Sequence, residues 1–155
     1  MHARQPPAMI LLTLALSAAA SSFAAERGTA AEARAMLAKA VAHYSAVGRA
    51  QALADFTHKV APFGDRDLYV ACINTDHVLV ANGGFPSVVG TSADAVKSAD
   101  GKLVGQAAWD AVAGTGAGAV HYLWVNPANG KSEPKTTFFQ KVGSDICGVG
   151  VYQPQ

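Results

Sequence analysis

The chain has 155 residues, half of them hydrophobic, with 12 Lys+Arg against 11 Asp+Glu and two cysteines. A net charge near zero with no basic run leaves no electrostatic footprint for nucleic acid, and none for an anionic membrane surface. The length suits one domain with a real core.

The first 24 residues read as a secretory signal peptide. His2 and Arg4 precede the apolar run AMILLTLALSAAA over residues 8–20, and Ser22-Phe23-Ala24 places small residues at −3 and −1 of a cut after Ala24. The apolar run is shorter than the ~20 residues a membrane span needs, so cleavage is expected over the alternative of an uncleaved anchor. Residues 25–155 are then one exported domain, periplasmic or secreted, with no membrane span after cleavage. Cleavage removes only Arg4 among the charged residues, leaving 131 residues with 11 basic and 11 acidic side chains.

Thr29 followed by Glu32 is a capping-box start. Ala33, Met36, Leu37, Ala40, Val41, Tyr44 and Val47 then recur at helical spacing as one apolar stripe. Gly48 interrupts it, and RAQALADFTH gives a second helical piece that presents Leu53 and Phe56 and stops before Pro62. From Asp67 the period becomes strand-like. DLYVACIN (67–74) turns at Thr75-Asp76-His77 into VLVAN (78–82), a hairpin. The segment 83–102 is dense in Gly, Ser and Asp and too long for an ordinary connection, which marks it as a functional loop. LVGQAAWDAVA (103–113) reads as a short helix ended by Gly114. AVHYLWVN (119–126), KTTFFQKV (135–142) and DICGVGVY (145–152) complete five strands, with turns at Pro127-Ala128-Asn129-Gly130 and Gly143-Ser144. Short connections favour antiparallel pairing, so the expected class is α+β, a long N-terminal helix on a five-stranded antiparallel sheet.

Cys72 and Cys147 both lie in strand-like runs. In an exported chain an even count suggests a disulfide; two buried free thiols are the alternative. His43, His58, His77 and His121 are scattered, without metal-ligand spacing. No Ser sits in a Gly-x-Ser-x-Gly elbow, and Asp94 to Asp100 lacks the alternating oxygens of an EF-hand loop. No catalytic residue, metal site or cofactor is expected, so the chain does not read as an enzyme.

The strings HYLWVNPANGKSEPKTTFF and GVGVY, with DLYVACINTDHVLVANGGFPSVVGTS and KSADGK before them, resemble the single Cache domain of the second type. This is a PAS-like extracytoplasmic sensor module, and the resemblance runs from about Glu32 to Tyr152. It implies a ligand pocket on the sheet face away from the long helix, and small organic ligands, short carboxylates prominent among them. Such domains mostly sit between membrane helices in chemoreceptors or histidine kinases. Here no membrane segment or output domain follows Tyr152, so signalling is expected through a partner such as a membrane receptor or histidine kinase. The family position three after the Pro-Lys lysine, often tyrosine, is Phe138, which removes one hydroxyl if that side chain faces the pocket.

Within that frame Lys135 is the first candidate ligand residue. A half-buried ammonium is costly unless an anion compensates it; the alternative is an exposed lysine at a strand start. Alternation puts Tyr122, Trp124 and Asn126 on one face, an apolar wall carrying a phenol, an indole N–H and an amide. Core packing explains Trp124 equally well. Tyr69 offers a hydroxyl to the same cavity, and Asn82 either closes its rim or initiates the turn. Gly148 and Gly150 read as places of close backbone approach, Trp109 as packing under the long loop, and His121 as facing the other way. The expected function is an exported sensor domain for a small carboxylate. The alternative is an accessory protein that docks on a membrane receptor without its own ligand, and an exposed apolar stripe around Met36 and Val47 would mark it.

Overall fold

The computed structural model describes residues 26–153 except Val96; the expected signal peptide, residues 1–24, lies outside the described residues. Helix α1 (Ala30–Val47) starts on a reciprocal cap. Thr29 Oγ1 accepts from the Glu32 N–H at 3.2 Å, and the Glu32 carboxylate accepts from the Thr29 N–H at 2.8 Å. One face of α1 buries Ala33, Met36, Leu37, Ala40 and Tyr44, while Val47 at its end is exposed. Gly48, at φ 84°, turns the chain into α2 (Arg49–Thr57), a backbone state that only glycine adopts without strain.

The strands are β1 (Gly64–Asp65), β2 (Leu68–Asn74), β3 (Leu79–Asn82), β4 (Ala117–Val125), β5 (Ser132–Val142) and β6 (Asp145–Tyr152). A 3-10 turn at Pro86–Val88 and helix α3 (Val104–Val112) lie between β3 and β4. All pairs are antiparallel, in the order β1-β2-β6-β5-β4 with β3 also on β2. The five expected strands are β2 to β6. The additional β1 is a two-residue ribbon opposite Leu68 and Tyr69.

Strand β5 begins three residues earlier than its expected start at Lys135, so Pro134 lies inside it, opposite Leu123. Pro134 has no N–H to give. It sits where β6 runs out: Tyr152 is the last β6 residue, opposite Lys135, and the Gln153 N–H donates to the Pro134 carbonyl.

Alternation divides the sheet into two faces. Leu68, Val70 and Cys72 of β2 and Cys147, Val149 and Val151 of β6 pack with the buried faces of α1 and α2. Cys72 and Cys147 stand directly opposite in register and form a disulfide, S–S 2.04 Å. It spans 75 positions, and closing a loop of that size contributes about 4 kcal/mol in the chain-entropy account. Asp145, fully buried at the head of β6, accepts from the Tyr44 hydroxyl at 2.7 Å and from Arg49 Nε and Nη2 at 2.9 and 3.1 Å. That bonding ties the α1–α2 junction to the β5–β6 hairpin. Burial and the Asp145 carboxylate push the Tyr44 hydroxyl up to about 12.

On the other face Ile73, Leu79, Val120, Phe139 and Ile146 pack beneath α3 and Ala93 of the long loop. Asp94 fixes that loop: one oxygen accepts from the Gln106 N–H at the start of α3 (2.7 Å), the other meets His77 Nδ1 at 2.6 Å. A roof is thereby held over the sheet.

Candidate ligand-binding site

Between this face and its roof lies a cavity of about 50 Å³. One water occupies roughly 10–15 Å³ on this measure, so the space suits about three to five water-sized groups. Most of its wall is apolar, from Ala71, Ile73, Leu79, Ala93, Val104 and Phe139; the polar side chains on it are Tyr69, Asn82, Tyr122, Trp124, Lys135 and Thr137.

Lys135 is 4 % exposed. Its Nζ donates to the hydroxyls of Tyr69 (2.7 Å) and Tyr152 (3.1 Å) and stands 4.2 and 4.5 Å from the centres of their rings. The chain of donors is ordered: Tyr152 donates to the Val125 carbonyl at 2.8 Å, which leaves Tyr69 as donor in the 3.1 Å contact between the two hydroxyls. No acid of the described residues bonds to Lys135. Burial drives its ammonium down to about 7, with Asp67 opposing the shift from a distance. Burial raises the tyrosines beside it: Tyr122 to about 12 despite its bond to Thr137, and Tyr69 and Tyr152 further. The phenols therefore stay neutral and the lysine is the group able to change charge near neutral pH.

Two glycines make this arrangement possible. A Cβ on Gly150 would stand 2.1 Å from Lys135 Cε and 2.5 Å from Thr137 Oγ1, so the lysine lies across β6 only because nothing projects there. A Cβ on Gly148 would meet the Phe139 ring at 2.6 Å.

Asn82 has both of the roles considered for it. Its Oδ1 accepts from the N–H groups of Gly84 (3.1 Å) and Phe85 (2.9 Å), forming the turn into the long loop. Those bonds fix the amide's orientation, and the side chain forms part of the cavity wall. Trp124 packs edge-on against Tyr122 (5.8 Å) and Phe85 (6.4 Å) and is both core and wall. The Tyr122 hydroxyl meets Thr137 Oγ1 at 2.9 Å.

Asn126 is the correction. It does not line the cavity. Strand β4 ends at Val125, and beyond it alternation no longer aims side chains. Asn126, 1 % exposed, gives Nδ2 to Asp67 (3.3 Å) and Glu133 (3.0 Å) and accepts from the Ala128 N–H at 2.9 Å, holding the β4–β5 turn. Glu133 also takes a two-pronged bond from Arg27 at 2.6 and 2.8 Å, which with its other bonds holds its carboxyl at about 2. Phe138 faces the helices, under the Arg34 guanidinium at 3.8 Å, so no hydroxyl is lost from the cavity there. Two participants went unread in the sequence: Thr137 on the wall and Tyr152 behind the lysine. Alternation from Lys135 and from Gly150 points to both, but only the β5–β6 register places them together.

His121 bonds Thr136 Oγ1 at 2.8 Å on the opposite face, and the indole of Trp109 donates to the Asn74 carbonyl at 3.0 Å. Among the described residues no cluster of three His, Cys, Asp or Glu side chains suits a metal ion, and no helix is long and apolar enough to cross a membrane.

The helices on an antiparallel sheet with a roofed, lysine-bearing cavity have counterparts among known proteins. The family profile described as Single Cache domain 2 matches residues 18–144, and the chain belongs to that family. A solved structure described as the periplasmic sensor domain of a chemotaxis protein superposes with TM-score 0.67 at 25 % identity, covering 80 % of this chain and 94 % of that one. A methyl-accepting chemotaxis protein from Vibrio parahaemolyticus RIMD 2210633 gives 0.67 at 16 % identity, covering 79 % and 86 %. A third structure, a Cache chemosensory domain described for carboxylic acid recognition, gives 0.61 at 23 % identity, covering 77 % and 85 %. No curated protein matches the chain.

Proposed function

We propose that the chain is an exported, periplasmic sensor domain that binds a short carboxylate in the cavity under the long loop and passes its occupancy to a membrane receptor or histidine kinase. It performs no covalent chemistry. The observation that carries this reading is Lys135: a buried amine on an otherwise largely apolar wall, bonded to two phenols and to no acid of the described residues. An ammonium in that position is costly until an anion joins it. The Asn82 amide adds a neutral polar group to the same wall, and Trp124, whose indole bonds the Tyr69 hydroxyl, shapes it, the mixture that orients a small polar ligand. The structural neighbour described for carboxylic acid recognition supports the ligand class.

A thermal-shift screen of the purified protein against short carboxylates, amino acids and amines tests this. A ligand at 100 times its dissociation constant adds about 2.7 kcal/mol of stability. The expected result is a hit among the carboxylates that Lys135→Ala abolishes. A flat screen overturns the reading in favour of a ligand-free accessory protein.

A further inference from the structure

The groups around Lys135 can be taken element by element. From β2 comes Tyr69, bonded to it, and from just before β2 comes Asp67, whose oxygens accept instead from the Gly28 N–H at 2.8 Å and Asn126 Nδ2 at 3.3 Å. From β6 comes Tyr152 and from β4 Tyr122, both phenols. On β5 itself Glu133 is committed to Arg27, Asn126 and Asn129. Asp100 and His121 lie on a separate surface cleft that reaches Lys135 from the sheet edge, and they bond Ser98 and Thr136. The roof contributes Ala93 and Val104, which do not titrate. The cavity wall thus carries one basic group and no acid among the described residues.

Resting on the carboxylate reading, we infer that the cavity takes up a small monoanion together with one proton. The carboxylate enters as its anion, Lys135 accepts a proton from solvent, and the pair formed is neutral. The empty pocket has no reason to hold a charge: its phenols are neutral, its walls are apolar, and burial brings the ammonium to about 7. An anion beside Nζ reverses the balance by favouring the charged amine. The same arithmetic selects against other ions. A zwitterion brings an ammonium that meets no carboxylate, and a dianion brings a second negative charge with no second cation. The cavity of about 50 Å³ adds a size limit near four or five heavy atoms.

The test is calorimetric titration of the purified protein with acetate, propionate, glycine and malonate from about pH 6 to 9.5, in two buffers of different ionisation enthalpy. An NMR titration of the Lys135 side chain in the unliganded protein runs beside it. Acetate and propionate are expected to bind with a Kd that is flat below about pH 7 and then rises toward tenfold per pH unit, with close to one proton taken up there. Glycine, which fits by size, binds at least about tenfold more weakly because it leaves a buried charge unpaired; malonate is turned away by its second charge and by its size together. Lys135→Arg, which keeps its charge at every pH, flattens the profile. Acetate binding that does not depend on pH, or a Lys135 that titrates as an ordinary lysine, overturns the proton coupling and leaves the carboxylate reading standing. No binding of acetate or propionate at any pH overturns the carboxylate reading, and the coupled uptake with it.

Discussion

On β2, Leu68, Val70 and Cys72 face the helices while Tyr69, Ala71 and Ile73 face the long loop, so one strand supplies a dry wall and a polar one. Along β2 and β6 the helix side is filled by the side chains of α1 and α2. Its polar groups are paired with one another: Asp145 with Tyr44 and Arg49 at the sheet's end, His43 with Asp55, and His121 with Thr136. The loop side keeps a buried lysine bonded to no acid of the described residues, an amide on the cavity wall and a space no described side chain fills. Stability alone would have favoured filling that space and removing that charge. The contrast separates what holds the fold from what the proposed ligand would use, and substitutions on the two faces should behave differently.

The largest effect is expected on the helix side. Phe56 is fully buried, 4.8 Å edge-on from Phe63, and Phe56→Ala should cost about 3–5 kcal/mol in denaturant unfolding. Next comes the disulfide: replacing Cys72 and Cys147 by Ala should cost about 2–5 kcal/mol. If either change altered acetate affinity in the folded protein more than stability, the two faces would not be separate.

How far this contrast was legible beforehand depends on range. The capping box at Thr29, the α1 stripe and the two faces of β2 are local periodicities, and residues 30–47 read directly as helix from spacing. Tyr122 and Trp124 share a face because alternation within a strand is also local, whereas Lys135 was placed by the family resemblance. Asn126 failed because alternation says nothing past the last paired residue, and the turn needed its amide. The early start of β5 was hidden by Pro134, a residue that has no N–H to give a strand partner. Tyr152 and Thr137 meet Lys135 and Tyr122 only through the pairing of β4, β5 and β6, and a pairing register is not written in any one strand.

Lys135→Met should split the two quantities. Removing the buried cation strands no hydroxyl, because Tyr69 still donates to Tyr152 and Tyr152 to Val125. The unliganded protein should therefore be as stable or more so, while carboxylate binding loses about 2–5 kcal/mol. The pH dependence gives the sign. The folded lysine sits near 7 against 10.5 in an unfolded chain, so between those values the unfolded chain holds the extra proton and stability rises with pH. The rise is lost as pH falls through about 7. Above about 10 the raised tyrosines reverse it, since the unfolded phenols ionise first. Melting curves of the wild type and Lys135→Met from pH 7 to 10 should show the slope in the first and its loss in the second; equal slopes would mean that Lys135 stays charged when buried.

The smallest expected effect lies at the start of α1. Thr29→Ala removes the acceptor of the Glu32 N–H but leaves the Thr29 backbone N–H bonded to the Glu32 carboxylate, itself held by Arg66 at 2.7 Å. A lost cap of this kind costs about 1 kcal/mol. Ligand affinity should stay within about twofold, because changes at separate sites usually do not couple. The site is well chosen for a failure, however. Gly28, the residue before Thr29, donates to Asp67, and Asp67 is the acid whose charge reaches Lys135. A change in affinity beyond about twofold, with the protein still folded, would show that the beginning of α1 and the cavity respond as one element. By reciprocity, ligand would then shift the start of α1 by the same free energy, and the dry face would be the one that carries the signal out.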